Sequence, residues 1–253
     1  AAQYLDGWGW IGSLTSFEYE AGYWLIMSSA DELLLEGCNS PMLNLVYNLQ
    51  EGPNLISYPA PGSTEIAEAI PNDVEDLFEA VLTEGGAAMN TDGGWVGSLT
   101  SFSGGSGYWV IVEEDLSFSY NIIDSGLGRT ANKYVETLPE GDQFMVIQSS
   151  EQAFYFVNSA TIDGEPLDKE DLIIAYNGET VVGSRYWYGK ATDIPTMGSD
   201  GSNILAGYCT AGDKISFKVW DESEQKLIDM GANGETTWKN LGLSVISLTD
   251  IVI

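Results

Sequence analysis

Apolar positions fall in short runs separated by glycine-rich turns, and one arrangement of them occurs twice. Trp10-Ile11-Gly12-Ser13-Leu14-Thr15-Ser16-Phe17, followed by Gly22-Tyr23-Trp24-Leu25-Ile26-Met27, returns without a gap as Trp95-Val96-Gly97-Ser98-Leu99-Thr100-Ser101-Phe102 and Gly107-Tyr108-Trp109-Val110-Ile111-Val112. The spacing of 85 residues, Trp10 to Trp95, is a module length rather than a solenoid period. In the first copy, glycine, tryptophan and small polar residues alternate from Tyr4 to Phe17 and an apolar run covers Tyr23 to Met27. This predicts a hairpin of buried strands, with Leu33-Leu34-Leu35 as a third strand. Residues 1–44 thus read as an incomplete first copy of the module, and residues 45–130 as a complete second copy.

The second copy has a front half that the first lacks. Asn54 to Tyr58 predicts a strand stopped by Pro59 and Pro61. From Ser63 or Thr64, apolar Ile66, Ala69, Ile70, Val74, Leu77, Phe78, Val81 and Leu82 recur at helical steps. Pro71 kinks this predicted helix, Asn72 offers a new cap and Gly85-Gly86 ends it. Ala87 to Met89 returns as a strand into the turn Thr91-Asp92-Gly93-Gly94. Composition shifts after Ser125-Gly126-Leu127-Gly128-Arg129, and residues 131–253 read as an all-strand domain. Strands are predicted at Phe144 to Gln148, Phe154 to Val157, Lys214 to Trp220 and Leu243 to Thr249, with Asn233-Gly234 between the last two. The clearest hairpin joins Leu172–Tyr176 to Thr180–Val182 through Asn177-Gly178, a pair suited to a type I′ turn. About seven short strands with regular turns fit a β-sandwich. The expected fold class is therefore mainly β with one α-helical insertion: tandem small α+β modules followed by a β-sandwich.

Charge narrows the partners. A net charge of −29 with nine basic residues repels phosphate backbones and anionic membranes, which excludes nucleic acid as a partner. Such acidity is common in secreted and marine proteins, where self-repulsion maintains solubility. It also raises the possibility of calcium, with Asp163, Asp168, Asp171 and Asp200 as candidate ligands in the acidic turns 163–171 and 193–200, although neither turn follows an EF-hand spacing. Cys38 and Cys209 lack metal-ligand spacing and leave two options open, one long-range disulfide or two separate small apolar residues. No run of about eighteen apolar residues exists, so no membrane insertion is expected. The start without methionine or signal peptide is read as a processed form.

Candidate chemistry is sparse. The absence of histidine removes the Ser-His-Asp and Cys-His triads, histidine zinc sites and the commonest general base. No nucleophile elbow, P-loop or dinucleotide fingerprint occurs, and with 38 acids paired carboxylates arise by chance. Tyr186, Trp187, Tyr188 and Tyr208 form a candidate platform for stacking on sugar rings or on a protein. The alternative is that Trp187 packs in the sandwich core with tyrosines at its rim. The repeated pairs Tyr23-Trp24 and Tyr108-Trp109 read as core.

Gly52-Pro53-Asn54-Leu55-Ile56-Ser57-Tyr58-Pro59, with Gly94-Trp95-Val96-Gly97-Ser98-Leu99 and Gly107-Tyr108-Trp109, resembles the "GWNLISxP … GYW" modules of large secreted and surface proteins from Bacteroidetes-related and marine bacteria. Ile162-Asp163-Gly164-Glu165-Pro166-Leu167, with Asp171 to Gly178 and Val182-Gly183, resembles the "INGxPL … GDxIGAFDG … VGA" module that often accompanies it. The chain departs by Pro53 where tryptophan is usual and by lacking a sorting domain of the kind removed during type IX export. The resemblance covers most of the chain, implies an extracellular or cell-surface location and carries no catalytic motif. The expectation is a non-enzymatic structural or adhesive protein. Its partner is a further copy of itself, joined end to end into a fibre or surface array. The proposed contact sets Trp10, Phe17, Trp24 and Ile26 of the incomplete copy against Val245, Ile251, Val252 and Ile253 of a neighbour. The rival expectation is a carbohydrate-binding module of a secreted glycan-degrading system, with glycans as partners.

Overall fold

Short apolar runs between glycine turns become strands nearly everywhere: the fold is mainly β, with 47% strand and 5% helix. The computed structural model describes residues 1–27, 44–122, 138–139 and 141–251. The hairpin of buried strands expected in the first copy is corrected: β1 (Ala2–Leu5) pairs with β2 (Gly9–Gly12), both largely exposed, and residues 23–27 form no strand. The second copy with its front half contains β3 (Tyr47–Leu49), β4 (Gly52–Ser57), β5 (Ser63–Glu65), α1 (Ile66–Ala69), β6 (Phe78–Thr83), β7 (Gly86–Met89), β8 (Val96–Gly97), β9 (Ser101–Ser103), β10 (Gly107–Val112) and β11 (Leu116–Phe118). Five of these form an antiparallel sheet in the order β4-β10-β6-β7-β8, while β5 pairs with β9 and β3 with β11. One face of the five-stranded sheet carries an aromatic core in which Phe102, Tyr58, Tyr120 and Phe118 pack ring on ring.

The helix expected from residue 63 to 82 is corrected. Only the four residues of α1 are α-helical, Glu75–Leu77 form a single 3-10 turn, and Phe78–Thr83 is a strand. Two causes produced the misleading period. β6 is covered on both faces, so its apolar residues run together instead of alternating. In addition, Phe78 pairs with Val112 and Ala80 with Ile111, which leaves Glu79 as an extra residue. That bulge puts Phe78 and Val81 on the same face, a three-residue step that mimics a helix.

Residues 152–250 form β12 (Gln152–Ile162), β13 (Glu165–Pro166), β14 (Leu172–Asn177), β15 (Thr180–Tyr186), β16 (Thr192–Met197), β17 (Ile215–Asp221), β18 (Lys226–Asn233) and β19 (Leu243–Asp250). They make one sheet in the order β13-β12-β19-β18-β17-β14-β15, with β16 also paired to β12, so the expected two-sheet sandwich is corrected to a single sheet curled as a half-barrel. The curl brings β15 over β16: a Cβ on Gly183 would lie 2.1 Å from the Pro195 carbonyl oxygen. Tyr155, Ile173, Phe217, Val219, Trp238 and Leu248 fill the core of this unit. No strand forms at 144–148, where Phe144 packs instead against Leu172, Ile174 and Tyr176. The predicted hairpin is present, one residue shifted: Asn177 pairs with Thr180, so Gly178 and Glu179 are the central residues. Positive φ at Gly178 and not at Glu179 fits a type II′ turn. A third core joins the units, where Ala80, Leu82, Ala87 and Ile111 meet Phe154, Phe156 and Ala191.

Candidate interaction surfaces

The two copies of the repeated word share a set of local contacts in opposite surroundings, although residues 16–18 and 22–27 form no strands where β9 and β10 do. A Cβ on Gly12 would lie 2.2 Å from the Ala1 carbonyl oxygen, and one on Gly97 2.2 Å from that of Ala87, so each hairpin requires glycine at the close approach. The Glu18 amide donates to the Tyr23 hydroxyl at 2.7 Å, as the Ser103 amide does to the Tyr108 hydroxyl at 2.7 Å. Phe17 meets Tyr23 edge to face at 4.6 Å, and Phe102 meets Tyr108 edge to face at 4.9 Å. Yet Phe102 is 0% exposed while Phe17 is 69% exposed, and Trp10 and Ile26 reach 73% and 76%.

The first copy touches the second through a narrow seam, where the Gly22 amide donates to the Leu55 carbonyl and the Ser57 amide to the Glu20 carbonyl. Tyr4, Trp8, Trp10, Phe17 and Tyr19 remain on the outside. At 150–250 Å² per aromatic side chain their summed exposed area is roughly 500–900 Å².

At the other half of the expected contact, β19 runs parallel to β12 from Leu243 to Thr249 and antiparallel to β18 from Ser247 to Asp250, so it is bonded on both sides over Ser247–Thr249 and residues 243–246 have a strand partner on the β12 side alone. Val245 and Ile251 are exposed, and Val252 and Ile253 lie outside the described residues.

In the second copy the word is locked to the half-barrel by Asp193, which is completely buried. Its carboxylate accepts hydrogen bonds from the Ser98 amide and hydroxyl, each at 2.8 Å, and from the Ala87 amide at 3.2 Å. From its own side it accepts from the Tyr188 hydroxyl and pairs with Arg185 at 3.3 Å. Arg185 also donates to the Gly85 carbonyl at 2.6 Å, which places the cation across the seam as well. Burial pushes the Asp193 carboxyl above its ordinary range, against the opposing pull of Arg185, Tyr188 and Ser98. Gln152, equally buried, adds a second tie, donating to the Thr83 carbonyl at 2.9 Å and accepting from the Gly85 amide at 3.3 Å. Sequence reasoning placed residue 193 only at the start of an acidic turn suited to calcium and gave Gln152 no role. An isolated acid among many offers no signal of burial.

The aromatic platform is not assembled. Trp187 is buried, Tyr188 is spent on Asp193, Tyr186 packs beside Phe144, and the Tyr208 hydroxyl accepts from the Ile147 amide. Two of the four candidate calcium ligands, Asp171 and Asp200, accept hydrogen bonds from backbone amides, and the four do not converge. The Asp163 amide donates to Asp250, Asp171 accepts from the amides of Asp168 and Glu222, and Asp200 accepts from the Ser202 amide. Partial burial raises the pKa of Asp171, whereas the Ser202 bonds lower that of Asp200. Among the described residues no group of three or more histidine, cysteine or acidic side chains is placed to hold a metal ion. Cys209 is a buried free thiol whose pKa burial pushes up to about 12, and Cys38 lies outside the described residues, as does the strand expected at 33–35. No helix among the described residues is long and apolar enough to cross a membrane. No family model matches the chain, and neither a curated protein nor a solved structure matches it.

Proposed function

We propose that this chain is a non-enzymatic structural or adhesive protein of the cell exterior that associates with further copies of itself through the face carrying Trp10 and Phe17. The observation that carries the reading is the repeat. The same word, with the same glycine approach and the same tyrosine hydrogen bond, has Ser98, Leu99, Ser101 and Phe102 buried in the second copy and is mostly exposed in the first. Burying such a face is favourable by about 25 cal/mol per Å² removed from water before the costs of association are met. A second copy of the chain presents the same uncharged stretch from Gly7 to Phe17, bordered by Asp6 and Glu18, so the contact buries no charge within the stretch itself. The module resemblance supports an extracellular or surface location.

Sedimentation velocity over a concentration series tests the contact. The full chain is expected to shift to larger species as concentration rises, and Trp10→Ser with Phe17→Ser to remain monomeric with an unchanged melting temperature. A full chain that stays monomeric at high concentration refutes the reading.

A further inference from the structure

A groove of about 480 Å³ opens beside the seam between the first copy and the five-stranded sheet, within the size range of small-ligand sites. Both tryptophans of the repeated Gly-Tyr-Trp words line it, Trp24 from the first copy and Trp109 from β10, each half-buried. Tyr23 adds a third ring and Leu55 an apolar floor. The charged side chains at the rim are Glu84 and Asp200, both exposed, and no lysine or arginine lines the groove. Indole faces carry negative quadrupole potential, so they and the two carboxylates favour the same sign of ligand. The Gln148 amide nitrogen is engaged, donating to the Ser149 carbonyl and to the Gln152 side-chain oxygen.

We propose that this groove binds a cationic group on an apolar stem, the lysine or arginine side chain of a partner peptide, with its stem over Leu55 and its head among Trp24, Trp109, Glu84 and Asp200. A phosphate or carboxylate ligand meets repulsion here from every charged neighbour. A neutral sugar would gain stacking but would leave the two carboxylates without a counter-charge. The site adjoins the contact proposed above through Tyr23, which meets Phe17 edge to face, while Trp24, Trp109, Glu84 and Asp200 belong to the groove alone.

The probe is a fluorescently labelled peptide carrying two lysines, titrated into the full chain at low protein concentration and followed by anisotropy. Controls are the same peptide with both lysines acetylated and a neutral glucose oligosaccharide used as competitor. Saturable binding at one peptide per chain is expected, lost on acetylation and indifferent to the oligosaccharide. Glu84→Gln with Asp200→Asn removes two exposed ion pairs and is expected to weaken binding about five- to tenfold. Trp24→Ala, which leaves the half-barrel untouched, is expected to weaken it by a similar factor. Because the chain is strongly acidic, diffuse attraction is the main rival. Binding unchanged in both variants means attraction to the surface at large and overturns the proposal, as does equal binding of the acetylated peptide or displacement by the oligosaccharide. Self-association that persists while peptide binding fails overturns this site alone.

Discussion

Truncating the same phenylalanine in the two copies of the repeated word separates local conformation from burial. Phe102 is 0% exposed, stacked against Tyr58 at 5.7 Å and edge to face with Tyr108 and Tyr120 at 4.9 and 5.0 Å. Phe102→Ala removes the ring from an aromatic core that cannot collapse around the gap, and buried Phe→Ala changes cost about 3–5 kcal/mol. For a chain of this size each kcal/mol moves the melting temperature by about 2–4 °C, so the expected fall is roughly 6–20 °C. Phe17 makes the same edge-to-face contact with a tyrosine but is 69% exposed. Exposed substitutions stay within about 0.5 kcal/mol, so Phe17→Ala is expected to shift the melting temperature by no more than about 2 °C. Both variants are to be melted by calorimetry at a protein concentration below that of association, with sedimentation run in parallel. The expected pattern is reciprocal: Phe102→Ala lowers stability, while Phe17→Ala weakens association. Equal destabilisation by the two substitutions would show that the first copy is buried within a single chain, and would refute the account of both surfaces.

Asp193→Ala leaves Arg185 buried without its partner and strips acceptors from Ser98 and Ala87, so unfolding in urea is expected to ease by about 3–5 kcal/mol; a change under 1 kcal/mol would show that the seam is held by the shared apolar core alone. Glu235 is held down to about 2, from an ordinary 4.5, first by the Thr237 hydroxyl and then by Lys214. Its contribution to stability is therefore present above 4.5 and lost as pH falls toward 2; the unfolded chain binds the proton first. Glu235→Gln is expected to flatten that limb of a stability–pH curve, slightly because the group is fully exposed, and an unchanged limb would contradict the assignment. Cys209, with its pKa pushed up to about 12, is expected to resist alkylation at pH 8 in the folded chain and to react once denatured, as mass spectrometry of the digested protein can follow; rapid labelling of the native thiol would show that the half-barrel core opens readily.

The strands flanked by glycine or paired turn residues were legible from the chain. The hairpin around Gly178, the runs at 154–157 and 243–249, and all but Lys214 of the run predicted at 214–220 lie in strands that the structure contains. What misled was double burial: β6, covered on two faces and bulged at Glu79, has a periodicity that cannot be told from that of a helix. The merging of all late strands into one curled sheet was not legible either, because the parallel pairing of β12 with β19 spans about ninety residues and leaves no local mark. At the surfaces, the Phe17 and Phe102 words share the glycine approach, the tyrosine hydrogen bond and the edge-to-face ring pair, but Tyr23 and Trp24, expected as core, are only half-buried. Burial separates the two words, and burial is a property of the surroundings that identical words cannot report. Trp187 and Tyr188 follow the same logic. An aromatic run reads alike whether it faces solvent or, as here, closes over Asp193.

The parallel pair β12–β19 also determines how the half-barrel responds to tension. Seven residue pairs join the strands, from Phe154 with Leu243 to Thr161 with Thr249, and both strands run the same way. A pull applied to the chain before Gln152 and beyond Asp250 acts on opposite ends of the two strands, so it slides one along the other instead of peeling them apart. In that geometry the rungs share the load and must fail together, whereas an antiparallel hairpin pulled from its open end unzips rung by rung. Along the line joining residues 152 and 250 the half-barrel is therefore loaded in shear. A protein anchored at one end and tugged at the other draws on that direction.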